Sequence, residues 1–169
     1  MSLVDSAKEV AGLFEKAEER WSAYVEGVRA ALREWERFRP LLAERISVLK
    51  TRIRMNLEEE QELNLKVELG LVDEEKAKRK LELLRSETPA LIEELSDLWV
   101  RLEELTLRSI IHTRRIGSLP DVTEEEVRAK MKELEECAQS SLVSEEALER
   151  LRGLLERQLA ALRGLPPQS

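Results

Sequence analysis

Apolar and small residues recur at alternating spacings of four and three through most of this chain, and no other pattern in it runs as long. From Ala77 the series continues through Leu81, Leu84, Thr88, Leu91, Leu95, Leu98, Leu102, Leu105, Ser109, His112 and Ile116. That spacing holds one stripe on one face of a helix, which must then be buried against another helix. It predicts an all-α fold: an elongated antiparallel helical bundle or coiled coil of about five helices, three long and two short. No strand pattern and no repeat of fixed period accompanies it.

Composition agrees with long helices that touch solvent along one side. Charged residues make up 37% of the chain and aromatic residues only 4%, and 169 residues suffice for one domain with a real core. A formal charge of −7 opposes general nucleic-acid binding, which needs a basic excess. No segment reaches the roughly 18 apolar residues of a membrane span. The opening Met1-Ser2-Leu3-Val4-Asp5 lacks the basic flank and apolar core of a signal peptide. Cys137 is the single cysteine, so no intrachain disulfide can form and a reducing, cytoplasmic setting is expected. Abundant charge with scarce Asn and Gln further suggests a heat-adapted source.

The first helix is expected from Val4 to Phe38, with the stripe Val4, Ala7, Ala11, Phe14, Glu18, Trp21, Val25, Val28, Leu32, Trp35. A second line, Leu3, Val10, Ala17, Tyr24, Ala31 and Phe38, lies beside it at sevenfold spacing. The combined face is broad enough for two neighbours. Pro40 is expected to end this helix, because the residue before a proline is pushed out of helical geometry. The second helix then spans Leu41 to Leu69, closed by Gly70 and followed by Asp73, which can cap the third. The third runs from Glu74 to Ile116, and because its stripe keeps phase across Pro89, a kink is expected there rather than a break. A fourth helix opens at Thr123, with Glu126 completing a capping box, and a fifth at Ser144. Residues 1–116 thus form a long three-helix bundle, 117–165 a helical hairpin packed on it within the same domain, and 166–169 a short tail.

Hairpins at Pro40 and Gly70 would set Glu18 and Glu60 at one level, with Asn56 a turn away. Glu18, Asn56 and Glu60 are then a candidate polar layer, either a metal or proton site or a device that fixes register. The same geometry leaves the end of the third helix overhanging the first hairpin by about 20 Å. Leu105, Ile110, Ile111 and Ile116 on that overhang are candidates for self-association unless the last two helices cover them. His112, beside Arg108, Arg114 and Arg115, is a candidate pH switch or anion contact, though a histidine near a helix C-terminus is also favourable by itself. Trp21, Trp35, Trp99 and Tyr24 are expected in the core, and Cys137 as a buried thiol.

No phosphate-cradling glycine loop, nucleophile motif or zinc spacing occurs. No catalytic residue, metal or cofactor is therefore expected. The expected function is that of a non-enzymatic scaffold or adaptor that self-associates and binds protein partners. The alternative is a membrane- or nucleic-acid-associated assembly protein using the basic segments Lys50–Arg54 and Lys76–Lys80.

Overall fold

Ser2 forms a complete helix cap. Its hydroxyl accepts from the Asp5 amide at 3.1 Å, and the Asp5 carboxylate accepts from the Ser2 amide at 3.4 Å. From that cap a single helix, α1, spans Leu3–Glu68, 66 residues and therefore about 100 Å long. The computed structural model describes residues 2–164; the predicted tail, 166–169, lies outside them. Three further helices follow: α2 (Glu74–Arg115), α3 (Glu124–Gln139) and α4 (Glu145–Leu162). The described residues contain no strand.

The all-helical expectation holds, but the helix count among the described residues drops from five to four because Pro40 lies inside α1. A proline within a helix costs about 3 kcal/mol through its missing N–H and its ring. Two features offset that here. Pro40 and the preceding turn from Glu36 are solvent-exposed, so water can reach the carbonyl that loses its partner. Meanwhile Val28, Leu42, Ile46, Leu49 and Ile53 are all buried on one uninterrupted face, which a turn at residue 40 would scatter. Pro89 likewise sits inside α2, as the phase of its stripe predicts.

The Gly70 hairpin forms as expected. Gly70 has φ 66° and donates to Val67 O, while Leu71 donates to Lys66 O, closing α1 with paired carbonyls that a residue bearing Cβ would reach only under strain. Asp73 then caps α2 through the Glu75 amide. Beside the turn α1 and α2 pair as a two-helix coil, joined by the buried Asn56–Thr88 hydrogen bond at 3.3 Å.

Further along, α3 and α4 complete an up-down-up-down body. Lys50 to Glu133 and Arg54 to the Cys137 sulfur tie α3 to α1. Ser96 to the Ser144 amide, the Arg150–Glu104 ion pair and Arg114 to Leu162 O tie α4 to α2. Between α3 and α4 run Arg152–Glu135 and Arg163–Glu124. The core inside this body contains Leu49 and Ile53 of α1, Leu95 and Trp99 of α2, Val127 and Leu134 of α3, and Leu151 and Leu155 of α4.

Candidate functional site

A 66-residue helix cannot be covered by a 42-residue partner folded back on it. The uncovered remainder is the start of α1. From Ser2 to Ala23 every residue except Ser6 and Gly12 is exposed, giving an arm roughly 33 Å long. The overhang therefore belongs to the first helix, not to the end of α2. Leu3 is 90% exposed, Phe14 64% and Trp21 51%, and Val4, Val10 and Leu13 are similarly open. Scattered surface apolar residues need no explanation, but this is a continuous face carried by two adjoining heptad lines. Trp21, expected in a core, lies outside it among the described residues.

The end of α2 is covered instead. Ile110 is buried, and Leu105, Ile111 and Ile116 are half-buried, because the part of α1 that precedes Pro40 runs along one side and α4 lies along the other. The predicted self-association patch is thus largely satisfied within one chain. The predicted polar layer is not assembled either. Glu18 stands exposed on the arm, while Glu60, about 60 Å away along the same helix, pairs with Arg85 at 3.0 Å. Asn56 meets Thr88 and acts as a register pin between two helices.

At the root of the arm an open cleft of about 430 Å³ lies between α1 and α2, with Tyr24, Val28, Leu32 and Trp35 on one wall and Leu105 and His112 on the other. Tyr24 Oη lies 2.6 Å from His112 Nδ1, and Tyr24 also packs near Trp21. Partial burial holds the His112 imidazole below its usual pKa, and the charges of Arg115 and Arg108 push it the same way. With the imidazole neutral and its proton on Nε2, the tyrosine hydroxyl donates to Nδ1. Protonation turns Nδ1 into a donor and adds a cation beside two arginines.

The folded state resists protonation relative to the unfolded one, so this contact is fully stabilising above the ordinary histidine value of 6.5 and is lost as pH falls through the lowered folded-state value. Thermal melts from pH 7.5 to 5 should show this loss, and His112→Phe should remove that part of the slope. An unchanged slope in the variant would separate His112 from the effect.

Sequence reasoning missed a buried charge. Glu103 is fully buried; it accepts from Lys130 Nζ at 3.1 Å and from Gln158 Nε2 at 3.3 Å, while Gln158 also donates to the Glu103 carbonyl. One oxygen, Gln158 Oε1, has no hydrogen-bond partner among the described residues. These contacts pin α2, α3 and α4 to a common level. Cys137 is buried as expected, and burial pushes its thiol pKa up, away from reactivity.

The basic segments are largely engaged. Lys50 pairs with Glu133 and lies 3.9 Å over the Trp99 ring, Arg52 pairs with Glu87, Arg79 with Glu75 and Lys80 with Glu59. Among the described residues, no three His, Cys, Asp or Glu side chains group as a metal set, and no helix is long and apolar enough to cross a membrane. No protein-family model matches this chain, and no curated protein or solved structure matches it either.

Proposed function

We propose that the protein is a non-enzymatic helical scaffold or adaptor that self-associates through the arm of α1. The observation that carries this reading is the apolar face between Leu3 and Trp21, exposed among the described residues. Most helical stability in proteins comes from packing an apolar face, and the arm leaves its own exposed. The arm nevertheless begins with a complete cap and carries about three heptads of stripe, enough for a coiled-coil seam. Most buried polar side chains of the body, Asn56, Thr88, Ser96, Glu103 and the Gln158 amide nitrogen, join one helix to another, which favours a structural role over chemistry.

Sedimentation equilibrium at micromolar concentration tests the proposal. A dimer or larger species is expected, and a single 19.5 kDa species would rule it out. The competing reading, recruitment to anionic membranes or nucleic acid, requires salt-sensitive binding in liposome and DNA pull-downs. The acidic balance and the paired lysines and arginines argue for none. Folding is expected to need no metal, so chelator treatment should leave the melting temperature where it was.

A further inference from the structure

Resting on the arm as the self-association element, we infer that its occupant is the arm of a second copy, antiparallel, with Val4 opposite the partner's Trp21 and Ala11 opposite the partner's Phe14. In that sense and register the arm's stripe is its own complement. Read outward from the twofold axis between Gly12 and Leu13, Ala11 meets Phe14, Ala7 meets Glu18 and Val4 meets Trp21. Each layer sets a small or branched residue against a large one, so two helices can approach closely. The adjoining apolar line follows, with Val10 opposite the partner's Ala17 and Leu3 opposite the partner's Tyr24.

Charge selects the register. Outside the stripe on the other flank lie Lys8 and Glu15, both exposed. In an antiparallel pair like flanks face one another, and this register sets Lys8 against the partner's Glu15, twice by symmetry. Sliding the helices one heptad one way puts Lys8 against the partner's Lys8; sliding the other way puts Glu15 against the partner's Glu15. A parallel coil stacks Glu18 on the partner's Glu18 inside the seam. The antiparallel register instead places Glu18 over the small Ala7, past which its carboxylate reaches water.

A longer overlap, with the partner's arm lying in the cleft beside Trp35, is the main competitor. It sets Lys8 beside the partner's Arg29, so the two arrangements respond oppositely to a charge change at residue 8.

Charge reversal on the full-length chain, read by sedimentation velocity over a dilution series, decides between them. Lys8→Glu and Glu15→Lys should each raise the dimer dissociation constant by about tenfold or more at low salt, since each turns two attractive pairs repulsive. The double variant Lys8→Glu/Glu15→Lys should restore the parent value to within about threefold. Residues 8 and 15 are two turns apart on their own helix and do not touch, so rescue reports contact between chains. Circular dichroism checks that helix content is unchanged. If Lys8→Glu tightens the dimer, the arm lies in the cleft and this register is wrong. Failure of the double variant to recover also overturns the register while leaving self-association standing. A monomeric parent protein overturns both.

Discussion

Lys130→Met should lower the stability of the folded chain by about 3 kcal/mol, or roughly 6–12 °C in melting temperature for a protein of this size. Glu103 is fully buried and Lys130 Nζ, 3.1 Å away, is its only cationic partner among the described contacts. Removing one member of such a pair leaves a charge in a low-dielectric interior, which costs far more than the pair itself contributes. The estimate sits at the low end of that range because the Lys130 side chain is 31% exposed and water can enter where it was. The companion change separates charge from packing. Glu103→Gln in the Lys130→Met background removes the stranded carboxylate, keeps the length of the side chain and can still meet Gln158. Most of the lost stability should return. Melts at one fixed protein concentration check both, since association also raises the melting temperature. A Lys130→Met protein within a degree of the parent would show that the carboxylate is satisfied some other way.

The second large effect belongs to the arm. Phe14→Glu should weaken the dimer by roughly two to four orders of magnitude while leaving the body's melting behaviour unchanged when monomers are compared. Fully burying a phenylalanine is worth about 1.5–3 kcal/mol, the symmetric dimer buries it twice, and each 1.4 kcal/mol is a factor of ten. Phe14 lies outside the core cluster and is 64% exposed in the single chain. Equilibrium sedimentation of the variant alongside the parent gives the ratio, and an unaltered dissociation constant would place the interface off this face.

The fold class was legible because stripe phase survives tertiary context. The same signal also contained the correct reading of Pro40. Val28, Leu32, Trp35, Arg39, Leu42, Ile46, Leu49 and Ile53 keep the four-three spacing straight through the proline, as the α2 stripe does through Pro89. Local geometry suggested a stop at Arg39, but burial of the aligned residues on either side outweighs the local cost. That one difference moved the overhang from α2 to α1. It also separated Glu18 from Glu60 and satisfied Ile110 within its own chain.

Other features had no signal to read. Glu103 lies off the stripe, between Leu102 and Leu105, and becomes buried only because α3 and α4 close over that side of α2. Gln158 stands beside Leu159 and is buried for the same reason. Where a short hairpin docks depends on side-chain fit between surfaces, and helical periodicity carries no information about it. The Tyr24–His112 contact needed the pairing of α1 with α2 at a distance of 88 residues along the chain, which only the uninterrupted α1 provides.

If the arm is the element that joins copies, residues 2–23 can be removed without harming the body, because they contribute nothing to its core. The decisive measurement is the mass, by sedimentation equilibrium, of the chain lacking residues 2–23 beside the full-length protein at the same micromolar concentration. The expected result is a dimer or larger species for the full chain and a folded monomer for the shortened one. A shortened chain that still associates as strongly as its parent would contradict the assignment of the arm.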